Sequence, residues 1–268
     1  MLKTRVITAL ILAAGLLAVL FLPPRIATVA VFSGVVALAA WEWAGLLKAG
    51  FHSRWLFGLV TLLPCGALFV AGMPRPLLIA LWSTALVFWL LLVPLWLRQR
   101  WPLRADATGY FIGWLLLVPS WAGMVMLHAY SPWILLAALA LVWVADIAAY
   151  FTGRACGRHK LAPTISPGKT WEGAAGAAVG VLAYAAVLGW VTDKLQVLDI
   201  PQLLLAVLGL LLATAVSILG DLFESLAKRQ AGFKDSSGLL PGHGGVLDRI
   251  DSLTSALPLA GLAAALIN

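Results

Sequence analysis

Charge is what this 268-residue chain has least of: only 11% of its residues are Asp, Glu, Lys or Arg, against roughly 25% in an ordinary globular domain. Together with 62% hydrophobic residues and a mean hydropathy of +0.99, that scarcity excludes a water-soluble domain. Cysteine is almost absent, at two residues, which excludes a disulfide scaffold. Disorder requires low hydrophobicity, and 13 Trp and 10 Phe exclude that too. A polytopic membrane protein remains. The net charge of +7 would suggest nucleic acid in a soluble chain. In a membrane protein it reads as loop charge that fixes orientation, so no nucleic-acid partner is expected.

A spanning helix needs about 20 predominantly apolar residues. Nine segments are candidates: 6–22, 26–41, 55–72, 77–97, 110–127, 133–151, 173–191, 201–220 and 253–267. The second and last are short, and Pro23-Pro24 leaves almost no loop after the first, so a tight hairpin or a partly interfacial segment is an alternative there. The fold class is all-α: a polytopic integral membrane protein of about nine transmembrane helices with a cytoplasmic N-terminus. In that orientation only Arg25, Arg75 and Lys194 fall outside, which leaves the other 15 of the 18 Lys and Arg inside, as the positive-inside bias demands. Lys3 and Arg5 before an apolar run also resemble a signal peptide, but the Pro-Pro-Arg that follows is a poor cleavage site. Cys65 and Cys156 read as packing residues.

About half of the formal charges, including seven of the 11 acidic residues, fall in two stretches, 146–172 and 221–251. Both lie on the predicted cytoplasmic side. Asp146 lies within a span, where a carboxylate costs up to roughly 2.5–3.5 kcal/mol. It either bonds a neighbouring helix, pairs with Arg154, or belongs to a functional site. After Tyr150, Gly153 and Arg154 comes Ser166-Pro167-Gly168-Lys169-Thr170-Trp171-Glu172-Gly173. Ser166 followed by Pro167 reads as an N-cap with proline at the first helical position. Lys169 would then sit in the first turn, against the helix dipole, where a bound anion would favour it; pairing with Glu172 is the alternative. Gly173, Gly176, Ala177 and Gly180 read as a close-packing face, within the chain or across a dimer.

In the second stretch, Asp221, Glu224, Ser225 and Lys228 share one helical face. The run continues through Arg229, Lys234 and Asp235 to the glycine-rich turn Pro241-Gly242-His243-Gly244-Gly245, then Asp248-Arg249-Ile250-Asp251. Paired carboxylates beside cations suit a magnesium polyphosphate, the acids taking the metal and the cations the phosphates. Glycine-rich backbone brings N–H groups close to such a ligand.

The strings Ser225-Leu226-Ala227-Lys228-Arg229, Lys234-Asp235 and Leu240-Pro241-Gly242-His243-Gly244-Gly245-Val246-Leu247-Asp248-Arg249-Ile250-Asp251 closely resemble the signature of phosphatidate cytidylyltransferases of the bacterial type. The stretch from Asp146 through Ser166 to Gly173 resembles that family's other recurrent block. Ala227 departs from the family pattern, which has a larger apolar residue there. The resemblance implies that CTP and phosphatidate give CDP-diacylglycerol and pyrophosphate, with Mg2+, at the cytoplasmic face of an inner membrane, and it suggests a homodimer. It implies metal ligation by Asp221 and Asp248, to which Asp251 is added as a third acid. Lys169, Lys228, Arg229, Lys234 and Arg249 are the candidate phosphate-binding cations, with Gly244 and Gly245 amides assisting. Asp146, Ser166, Asp235 and His243 complete the candidate substrate-binding set, and Asp221, Asp248, Lys169 and Lys228 are the candidate catalytic residues.

Residues 1–132 are thus expected to form about five scaffold spans, and 133–268 a catalytic region of about four spans with charged segments 146–173 and 220–252. A CTP-dependent kinase of a lipid alcohol is the alternative enzyme. A secondary transporter is the alternative class, although transporters usually place polar residues near the midplane of repeated halves.

Overall fold

The computed structural model describes residues 2–194 and 197–267, with side chains from Val6 onward. The side chains of Lys3 and Arg5, which contribute to the expected orientation, lie outside the described residues. Apolar helices dominate: α1 (Leu2–Phe21), α2 (Arg25–Leu46), α3 (Phe51–Val70), α4 (Arg75–Val87), α5 (Val93–Gln99), α6 (Ala107–Tyr130), α7 (Pro132–Cys156), α8 (Trp171–Val191), α9 (Ile200–Ala231), the single turn α10 (Leu247–Ile250) and α11 (Leu253–Ile267). A π-helical turn, Phe88–Leu92, joins α4 to α5 in one rod. Among the described residues seven helices have the length and apolarity to cross a membrane, and two shorter apolar ones, Val6–Phe21 and Leu253–Ile267, accompany them. This is an all-α, multi-pass membrane protein.

Two expectations change. The second apolar segment is not short: α2 runs past Trp41 through Glu42 to Leu46, because Glu42 points into the protein and finds hydrogen-bond donors there. Ser166 is not an N-cap. Ser166–Thr170 is a strand, β2, paired antiparallel with β1 (Lys160–Ala162), and α8 starts at Trp171 with Thr170 as its cap, Thr170 Oγ1 accepting from the Gly173 N–H at 3.1 Å. A Thr oxygen is also a good helix cap, and the strand pairing uses the backbone that the earlier start would have wound. Lys169 therefore lies in the strand before the cap and not in the first helical turn.

Packing rests on close backbone approaches and indole hydrogen bonds. Trp43 Nε1 donates to the Gly109 carbonyl at 2.9 Å, and Trp82 Nε1 donates to that of Pro119 at 3.0 Å. Ser120 Oγ donates to the Thr254 carbonyl at 2.9 Å, tying α6 to α11. One continuous apolar core draws on α2, α4, α6, α9 and α11, so the expected scaffold and catalytic segments share it. The glycines of α8 are used within the chain. A Cβ at Gly176 would overlap the Thr152 side chain, and one at Gly180 would stand 2.6 Å from Ala148 Cβ, both on α7.

α9 sets the height of the site. Its 32 residues make a rod about 48 Å long, well beyond a hydrocarbon core of about 30 Å. The polar stretch from Asp221 onward therefore projects past the apolar part, beside the C-terminal end of α7, the β-hairpin and α10.

Candidate active site

One cavity of about 570 Å³ opens where these pieces meet. α7 lines it with Asp146, Tyr150 and Arg154; the hairpin with Ser166 and Lys169; α9 with Asp221 and Lys228; the last loop and turn with Asp235, Asp248, Arg249 and Asp251. Both charged stretches thus face one space. Small residues keep it open: Gly153, Gly168, Gly173 and Ala177 are part of its wall.

The two lysines are paired within the protein. Lys169 Nζ lies 2.6 Å from Asp221 Oδ2, and not against Glu172, which instead receives the His159 N–H and stands 2.6 Å from His159 Nδ1. Lys228 Nζ sits between Glu224 Oε2 at 2.5 Å and Asp248 Oδ1 at 2.6 Å. Arg154 donates to the Tyr150 hydroxyl at 3.2 Å and does not pair with Asp146. Among the described residues Arg249 forms no ion pair within 4.0 Å, so Arg154 and Arg249 are the wall cations without a carboxylate partner.

Asp248 is heavily bonded. Besides Lys228 at Oδ1, its Oδ2 accepts from the Ser236 N–H at 2.8 Å, the Ser236 hydroxyl at 2.9 Å and the Gly245 N–H at 2.7 Å. Burial would raise its pKa, but the bonds from Lys228, Gly245 and Ser236 outweigh burial and hold the carboxyl below the usual range. Asp251 goes the other way: burial, then the Asp221 carboxylate, push its carboxyl up to about 7. Its Oδ1 accepts from the Ser252 N–H at 2.8 Å. Asp221 Oδ1 receives the Ser225 hydroxyl at 3.2 Å.

Asp146, Ser166, Lys169, Asp221, Lys228, Asp235, Asp248, Arg249 and Asp251 are brought together. Arg229 and Lys234 are exposed and do not line the cavity, nor do His243, Gly244 and Gly245. The Gly245 amide is used inside the loop, on Asp248. Gly242 and Gly244 have φ of +75° and +82°, the left-handed region where glycine is at ease. The turn's glycines thus serve its own path. Glu42, which the sequence placed outside every candidate set, touches this loop: four donors reach its carboxylate. An acid enclosed by apolar helix was the available signal.

The cytidylyltransferase family is matched over residues 3–267. The chain belongs to the cytidylyltransferase family. It is 44% identical to the phosphatidate cytidylyltransferase of Pseudomonas aeruginosa, over 97% of this chain and 95% of that protein. With the phosphatidate cytidylyltransferase of Haemophilus influenzae it shares 36% identity over 96% of each chain. With that of Brucella suis it shares 38%, over 96% of this chain and 91% of the other. The chain is therefore a nucleotidyltransferase, and its cavity is the candidate for that chemistry.

Proposed function

We propose that this enzyme transfers the cytidylyl group of CTP to phosphatidate, releasing pyrophosphate and forming CDP-diacylglycerol at the cytoplasmic face of a bacterial inner membrane. The observation that carries it is the cavity that gathers Lys169, Lys228, Arg154 and Arg249 with five aspartates beside the polar ends of apolar helices. It supports a site for two polyanions, one of them anchored in lipid.

A phosphatidate oxygen attacks the α-phosphorus of CTP in line with departing pyrophosphate. A phosphate monoester has a second pKa of about 6, so the nucleophile is already ionised near neutral pH and needs no strong base. The obstacle is repulsion between anions, and catalysis is chiefly neutralisation and positioning. Lys169 and Lys228 exchange a carboxylate partner for phosphate oxygens as substrates enter. Arg154 and Arg249 take phosphate charge without giving up an ion pair. A guanidinium offers two parallel donors to a phosphate.

The donor chemistry of the wall suits Mg2+. Asp146, Asp221 and Asp251 offer hard oxygens with lone pairs free of protein donors, and their crowding is what a divalent cation relieves. Among the described residues no three acids, histidines or cysteines converge on one point. Mg2+ commonly uses one or two carboxylates, completing its shell with substrate phosphates and water. Asp221 and Asp251 would hold it with Asp146 nearby. Asp248, first expected as a ligand, has one Oδ1 lone pair left after its bonds to Lys228 and the loop. When bound, the ion would offset charge on the triphosphate and leaving group. The family resemblance also supports a homodimer.

Purified enzyme given CTP, phosphatidate and magnesium is expected to yield pyrophosphate and CDP-diacylglycerol in equal amounts. CDP as the nucleotide product would overturn this reading in favour of a lipid-alcohol kinase.

A further inference from the structure

Glu42 is fully buried on α2, outside the cavity wall. Its Oε1 accepts from the Ser237 hydroxyl at 2.6 Å and the Val246 N–H at 2.9 Å; its Oε2 accepts from the Leu247 N–H at 2.6 Å and the Ser236 hydroxyl at 3.1 Å. All four donors lie 194 to 205 residues further along the chain. An ionised carboxylate is an acceptor with about four lone-pair sites, and here two donors meet each oxygen.

The one proton of the Ser236 hydroxyl is shared, as a three-centre bond, between Glu42 Oε2 and Asp248 Oδ2, and Asp248 Oδ1 holds Lys228. A continuous hydrogen-bonded path therefore runs from a scaffold helix to an ammonium in the cavity. The same contacts hold the start of α10, whose turn carries Asp248, Arg249 and Asp251 into the wall. Gly245 reports how close the fit is: a Cβ there would overlap Ser236 Oγ and stand 2.5 Å from Glu42 Oε1. Glycine at 245 is required by this anchor.

We propose that Glu42 is a positioning residue for the cytidylyl transfer, acting through Ser236 to set the places of Asp248, Lys228 and the α10 turn. This rests on the transfer proposed above.

Steady-state kinetics of the full-length enzyme in mixed micelles containing phosphatidate test it, with E42Q, S236A, S237A and the E42Q/S236A double variant beside the wild type. In E42Q, kcat is expected to fall about tenfold to a hundredfold, as when partners behind a site are lost. KM for CTP and phosphatidate should stay within about threefold, because the phosphate-binding cations are all retained and only their alignment on the transition state is lost. S236A should show the same split. S237A, whose hydroxyl reaches Glu42 but not Asp248, should keep kcat within about threefold, and the double variant should lose no more than the worse single one, since the two act along one path. A folded E42Q with wild-type kcat, equal losses in S236A and S237A, or multiplying losses in the double variant would overturn the proposal. If E42Q does not fold, the contrast between S236A and S237A decides. Absence of pyrophosphate from the wild type would overturn the transfer itself, and the positioning role with it.

Discussion

Lys169 and Lys228 meet carboxylates of the protein itself, so their charge is held in place. Holding a long cation in a fixed position lowers the ordering entropy lost on binding. Lys169→Ala should lower kcat/KM by about a hundredfold, roughly 2.7 kcal/mol of transition-state stabilisation, read from incorporation of labelled CTP into lipid. Unchanged constants for both substrates would remove Lys169 from the site. Asp248 gives a pH prediction. Its carboxyl is held below the ordinary value of 3.8, so its contribution to stability is complete above that value and fades as pH falls through the depressed folded value. Melting curves in detergent should therefore lose stability more steeply below about pH 4 in wild type than in Asp248→Asn. Parallel curves would show that Asp248 is not so held. Individual charges of this kind were legible, because charge is so rare in this chain that each polar residue in or beside a span stands out. Their partners were not: Lys169 could as well have met Glu172, a neighbour in sequence, as Asp221, a neighbour only in space.

At the scale of elements, the helices were readable and the hairpin was not. An apolar run announces itself over about 20 residues, whereas a two-strand hairpin of three and five residues carries no periodicity, and Ser-Pro offered a plausible cap that Thr170 supplied instead. The glycine spacing of α8 left its partner open, since a small-residue face fits a helix of the same chain or of another. The contacts of Gly176 with Thr152 and of Gly180 with Ala148 put that partner on α7. Gly176→Leu should therefore destabilise the protein by about 1–3 kcal/mol through overpacking, seen as a lower melting temperature. Gly209, where an added Cβ would meet nothing within 4 Å, should accept alanine without loss. If Gly176→Leu melted with the wild type, α7 and α8 would be packed more loosely than these contacts require.

For the whole molecule, orientation is the decisive property, because CTP is available on one side only. Cys156 is exposed at the polar end of α7 beside the cavity, and Cys65 is buried. A membrane-impermeant maleimide should label Cys156 in inside-out vesicles and leave it unlabelled in intact spheroplasts, with Cys65 silent in both. Labelling in spheroplasts alone would place the cavity on the wrong face. The membrane class, the presence of many apolar helices and the gathering of charge into two stretches were legible in the sequence itself. Hydropathy and loop charge act locally, so each window of the chain carries them whatever the rest does. Which charges meet was decided only by the tertiary structure. Glu42 and Ser236 are separated by 194 residues, and no local pattern links them. Only the packing of α2 against the loop before α10 brings a scaffold acid to the glycine-rich turn, where Ser236 and Glu42 together leave no room for a side chain at residue 245.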